Sequence, residues 1–181
     1  IGDTVSIHKA GDVIPEVGDV LLNRRPLDAK PFVMIDRCPI CNERIYREEN
    51  KADHYCININ CPARVLESVI HFCERKAMNI DGMGEANVKM LLDLKYINNI
   101  ADIYELSQYD YELKHIPGWG EKSVNNLLTA IENSKKNSLE RLLFALGILE
   151  VGEKTAKILA NEFDNIDNLM NADIERLSSI D

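Results

Sequence analysis

With 181 residues, 45% of them hydrophobic and 28% charged, the chain has the composition of one large or a few small globular domains, which excludes a disordered or collagen-like polymer. Its 30 acidic and 21 basic side chains leave a net charge of −9, and that excludes the strongly basic footprint of most nucleic-acid binders. No apolar run approaches membrane-spanning length and no signal-peptide pattern opens the chain, so a cytoplasmic protein with no membrane partner is expected.

The charge is uneven along the chain. Residues 1–76 hold 11 basic and 12 acidic side chains, whereas residues 77–181 hold 10 and 18. A polyanion held by the second part would have to be held largely by backbone amides. The sequence opens on Ile1 rather than Met, and a piece of a longer protein is expected.

Residues 1–36 read as strands and a linker. Thr4 to His8 alternate, with Val5 and Ile7 on one face, and Ala10-Gly11-Asp12 supplies a turn. Val13-Ile14, Val17 and Val20-Leu21-Leu22 are further strand material, interrupted by Pro15 and Gly18, which suggests edges or bulges. So short a sheet is not stable alone. It reads as the end of a β domain, followed by a linker from Arg24 to Pro31.

Cysteines follow in two close pairs, Cys38 with Cys41 and Cys56 with Cys61, at the spacing C-x2-C-x14-C-x4-C. Four thiolates so spaced suit a tetrahedral zinc, and four cysteine ligands leave no open position, so the metal is structural. A pair of disulfides is the alternative; a reducing compartment and an odd total of five cysteines disfavour it. His54 reads as a solvated surface histidine, and Cys73, on an apolar helical face with Val69, Ile70 and Phe72, as a buried thiol.

From there the chain is helical, with periodic segments near 63–77, 85–95, 100–107, 121–134, 138–146 and 153–162, and a last one near 173–179 expected to fray. A motif recurs between them. Ile80-Asp81-Gly82-Met83-Gly84-Glu85 is followed by Ile116-Pro117-Gly118-Trp119-Gly120-Glu121-Lys122 and then by Ile148-Leu149-Glu150-Val151-Gly152-Glu153-Lys154. The lead isoleucines stand 36 and then 32 residues apart, and Ile180 falls another 32 on, where the sequence is expected to stop inside a fourth repeat. Glycines there permit a positive-φ turn and leave the backbone uncovered. The helix that follows then begins with unpaired amides and its positive dipole end outward, an anion site. This pattern resembles the helix-hairpin-helix module of DNA-binding proteins, and it makes Gly82, Gly84, Gly118, Gly120, Lys122, Gly152 and Lys154 the candidate DNA contacts.

Competing readings of these residues are weaker. Asn87 and Ser123 stand where a dinucleotide fingerprint needs its third glycine, and no strand precedes either turn. Asn79 occupies the lysine position of a Lys-x-Asp-Gly motif and offers no amine. Met83 and Trp119 are expected to pack beneath their turns rather than wedge into a groove. Glu85, Glu121 and Glu153 favour the helix dipole yet repel phosphate, so some hairpins could be packing devices alone. No nucleophile–base arrangement is visible, and no catalytic residue is assigned.

Three features in order carry a wider resemblance: Lys9-Ala10-Gly11-Asp12-Val13-Ile14-Pro15, the four-cysteine knuckle, and tandem hairpins opening on Asp81-Gly82-Met83-Gly84. Together they resemble the central and C-terminal part of bacterial NAD-dependent DNA ligase over essentially the whole chain. The resemblance implies a multi-domain α+β fold. Residues 1–36 would be the last strands of an oligonucleotide-binding (OB) barrel and linker, 37–67 a four-cysteine zinc finger, and 68–181 a mainly α-helical helix-hairpin-helix domain. Cys38, Cys41, Cys56 and Cys61 match the family's zinc ligands, and Lys9 stands where a basic residue approaches the nick. The enzyme's NAD, magnesium and nucleophilic lysine would all lie outside this chain, leaving it inactive alone on its partner, nicked duplex DNA. A monomer is expected. The alternative reading is a non-enzymatic repair scaffold whose hairpins bind protein.

Overall fold

A computed structural model describes residues 1–11 and 13–180. Asp12, in the first turn, and Asp181, which ends the expected fourth lead, lie outside the described residues. The chain divides into two compact units, Ile1–Ile57 and Asn58–Asp181.

In the first unit, strands β1 (Val5–Ala10) and β2 (Ile14–Val20) form an antiparallel two-stranded sheet. β2 runs unbroken through Pro15 and Gly18, which mark an edge and a bulge as their positions suggested. Each strand of a two-stranded sheet has an open edge, which tolerates the missing amide of Pro15. Gly18 marks an irregularity instead. The register slips between Val5/Val20 and Ile7/Val17, placing Gly18 and Asp19 opposite Ser6. The Ser6 hydroxyl accepts the Asp19 amide at 2.9 Å, and a Cβ on Gly18 would lie 2.8 Å from that oxygen. A larger residue there would have to displace the Ser6 hydroxyl from the bridge. The sheet leaves Ile7, Ile14 and Val17 about two-thirds exposed, at 67%, 67% and 64%. The expected linker is pinned at its start, where the Arg25 guanidinium donates to both Asp3 carboxylate oxygens at 2.6 and 2.8 Å. A second small antiparallel pair, β3 (Ile45–Tyr46) and β4 (Tyr55–Cys56), completes this unit.

The second unit is helical. It contains α1 (Pro62–Cys73), α2 (Glu85–Asp93), a 3-10 stretch (Ala101–Tyr109) running into α3 (Asp110–Lys114), and α4 (Glu121–Ser134). After these come α5 (Leu139–Ala145), α6 (Glu153–Phe163), α7 (Ile166–Met170) and α8 (Ile174–Ser178). Apolar residues at helical spacing turn one stripe inward, as with Val124, Leu127 and Ile131 on α4, all buried. They join Val69 and Phe72 of α1, Leu91 of α2 and Leu113 of α3 in one core. Cys73 is buried with them, as its sequence position suggested.

Two departures from the periodic reading have local causes. The segment expected to be helical at 100–107 winds as a 3-10 helix. Asp102 Oδ2 accepts the Asn98 amide at 2.7 Å and Asn99 Oδ1 the Ala101 amide at 2.8 Å, so side chains compete with regular α bonding. The helices α3 and α7, five residues each, are too short to show a period. The segment near 173–179 forms one short turn, α8, whose start is capped by Asp173 accepting the Arg176 amide at 2.8 Å.

Candidate metal centre and nucleic-acid interface

The thiols of Cys38, Cys41, Cys56 and Cys61 lie within 4.8 Å of one another, and none is in a disulfide. Zinc–sulfur bonds of about 2.3 Å in a tetrahedron place sulfurs about 3.8 Å apart, so the set fits zinc with little adjustment. The Cys41 and Cys56 sulfurs are already 3.5 Å apart. A tight knuckle presents the first pair: the Asn42 amide bonds the Cys38 carbonyl at 2.9 Å, and Asn42 takes a left-handed φ of +59°. Cys56 stands on β4, while Cys61 is the N-cap of α1 with Pro62 in the first helical position. A thiolate at a helix N-terminus is favoured by the dipole. Bound there, zinc would cross-link these segments without an open coordination position. His54 is half-buried rather than solvated.

The three repeats share one backbone. Their turns close by the same bond, Met83 to Ile80 at 3.3 Å, Trp119 to Ile116 at 2.9 Å and Val151 to Ile148 at 2.9 Å. The following helices start alike, with Val88 bonded to Gly84, Val124 to Gly120 and Ala156 to Gly152. The first turn position is left-handed in each copy: φ is +93° at Gly82, +85° at Gly118 and +65° at Glu150. Thus the third copy keeps the conformation without the glycine.

The second glycine has a different role from the one the sequence suggested. Gly84, Gly120 and Gly152 are the N-caps of α2, α4 and α6, with φ of −71°, −147° and −81°. None needs a left-handed backbone. A Cβ at any of the three would meet nothing within 4 Å. Neither conformation nor internal packing therefore calls for glycine there, whereas close approach of another molecule to the backbone would. No side chain caps these helix starts. Gly82 differs, since its Cβ position lies 3.4 Å from Leu127 of α4.

Met83 is buried beneath the first turn, and Trp119 is half-buried against the same core, so neither is a free wedge. Lys122 and Lys154 are exposed on the first turns of α4 and α6. Lys9 is exposed on β1 opposite Pro15, in the other unit. Sequence reasoning missed Lys76, whose ammonium lies 2.7 Å from the Glu153 carboxylate. Its partner is 77 residues away, so no local pattern could reveal it. The Glu153 hydrogen bond raises the Lys76 pKa above its ordinary value.

A thiolate knuckle followed by repeated glycine-turn helix pairs defines a zinc-finger and helix-hairpin-helix protein. Residues 37–63 match the NAD-dependent DNA ligase C4 zinc finger domain, and residues 141–181 the helix-hairpin-helix motif. Proteins named DNA ligase from Macrococcus caseolyticus and Lactobacillus helveticus are 50% and 46% identical over 181 residues, all of this chain. One from Spiroplasma citri is 48% identical over 180 residues, 99% of it. The chain carries the C4 zinc finger of NAD-dependent DNA ligases, is similar over its whole length to these bacterial DNA ligases, and spans 27% of their length. No helix among the described residues is long and apolar enough to cross a membrane.

Proposed function

We propose that this chain is the part of an NAD-dependent DNA ligase that grips nicked duplex DNA by its phosphates, while adenylation and sealing occur elsewhere in the full protein. The carrying observation is the trio Gly84, Gly120 and Gly152, bare at uncapped helix starts with no internal need for glycine. Helix-start amides aimed outward suit phosphate, and a repeat of them suits a phosphate chain. Lys122 and Lys154 add charge at the second and third hairpins, and Lys9 is assigned a separate backbone contact. The proposed domains are residues 1–36, 37–67 and 68–181. The exposed apolar residues of the β1–β2 sheet support its assignment to an OB barrel completed by other chain. The protein acts as a monomer, and NAD and magnesium bind outside these residues.

The scaffold reading draws on one observation, the first hairpin. Gly82 packs against Leu127, and Glu85 has no ion-pair partner among the described residues to offset its charge. That hairpin is assigned a packing role beside the open amides at Gly84.

Incubating the chain with NAD and nicked duplex tests the division of labour. Intact-mass measurement should find no adenylylated protein and electrophoresis no sealed strand, while the same sample retards the duplex. An adenylyl adduct would overturn it, and so would failure to retard DNA.

A further inference from the structure

The third hairpin matches its motif least well, lacking the first glycine, yet it borders a cleft lined by five cations. A cleft of about 700 Å³ opens between the residues after α1, the outer face of α5 and the first turns of α6. Arg75, Lys76, Arg141, Lys154 and Lys157 line it, with Glu140 and Glu153 as the only acids and Phe144 as an apolar wall. Five cations converge in a region where acidic residues otherwise predominate.

The cations are not equivalent. Arg141 is committed to architecture: its Nε donates to the Ala77 carbonyl at 2.7 Å and a terminal nitrogen to the Arg75 carbonyl at 2.5 Å. These bonds hold the post-α1 loop against α5. Lys76 is committed to Glu153 at 2.7 Å. Glu153 is the acid that follows the hairpin glycine, and it is the one such acid with an ion-pair partner among the described residues. The repulsion that Glu85 and Glu121 direct at an incoming phosphate is thus cancelled at the third copy alone. Arg75, Lys154 and Lys157 are exposed and make no ion pair among the described residues. Lys154 and Lys157 stand three residues apart on one face of α6.

We infer that Arg75, Lys154 and Lys157 form a phosphate-binding subsite at the third hairpin, with Lys76 as a positioning residue that masks Glu153. The ligand is the sugar-phosphate backbone of duplex DNA. The subsite deepens the proposed function and rests on it. Side-chain cations there add a salt-dependent anchor to the amide contacts at Gly152, which carry no net charge.

The test is duplex binding by fluorescence anisotropy from low to high salt, on the unaltered chain and on Arg75→Gln, Lys154→Gln and Lys157→Gln. Circular dichroism and thermal melting verify folding, and Lys154→Arg preserves charge should a glutamine variant unfold. Each glutamine variant should bind about threefold to tenfold more weakly and flatten the log–log salt slope by about one. Lys95→Gln, at the far end of α2 from its hairpin, should change the slope less. Glu153→Gln should strengthen binding by releasing Lys76. Binding by the unaltered chain with folded glutamine variants indistinguishable from it would overturn the subsite and leave the proposed function standing. No binding by the unaltered chain would overturn both.

Discussion

Glu150 holds a φ of +65° at the position where the two earlier turns use glycine. A left-handed backbone costs an ordinary L-residue about 1–2 kcal/mol, and glycine's looser unfolded state returns about 0.5–1 kcal/mol of that. Glu150→Gly should therefore raise stability by about 0.5–1 kcal/mol in urea denaturation; a loss of stability would show that the carboxylate does more for the turn than its backbone costs. The substitution that looked like motif decay is a change of residue on an unchanged turn. Sequence alone could not separate the roles of the paired glycines, because both are written with one letter. Conformation favours glycine at the first, Gly118 at φ +85°, and is indifferent to it at the second, Gly120 at φ −147°. Met83 was legible because an apolar residue enclosed by polar turn residues has little choice but to pack.

At the scale of elements, the zinc knuckle and the long helices were legible, since thiolate spacing and a helical apolar stripe are local patterns. The 3-10 stretch at Ala101–Tyr109 was not, because Asn98, Asn99 and Asp102 settle it through side-chain bonds that periodicity ignores. The Lys76–Glu153 bridge was not, because only the tertiary fold brings its partners together. The cysteines allow a separation by reactivity. Burial pushes the Cys73 thiol up to about 12, which keeps it protonated and unreactive at neutral pH. Zinc-replete protein should contain one zinc per chain by elemental analysis. After chelation, four thiols should react quickly with a disulfide reagent and the fifth only on denaturation. Absence of zinc, intact disulfides, or five equally fast thiols would contradict this assignment. Cys38→Ser and Cys61→Ser should each loosen the zinc module, and serine at the N-cap should leave the start of α1 intact.

For the whole molecule the charge of −9 sets the problem that the hairpins answer. An acidic chain can hold DNA only if its donors are local and its acids are masked or turned away. Uncapped helix starts at Gly120 and Gly152 provide such donors, and the masked Glu153 provides one such local solution. Binding of this kind should be modest, at roughly 10⁻⁴–10⁻⁶ M at physiological salt, and indifferent to base sequence. The second hairpin gives the cleanest test, because φ −147° at Gly120 accepts a β-branched residue without strain and Lys122 makes no ion pair among the described residues. The most direct measurement is the salt dependence of duplex affinity for the parent chain, Gly120→Val and Lys122→Ala. Gly120→Val should weaken binding by covering the amides, and Lys122→Ala should flatten the salt slope by about one on every sequence tried. If both variants fold like the parent and bind duplex as it does, the second hairpin does not grip DNA and the central claim fails.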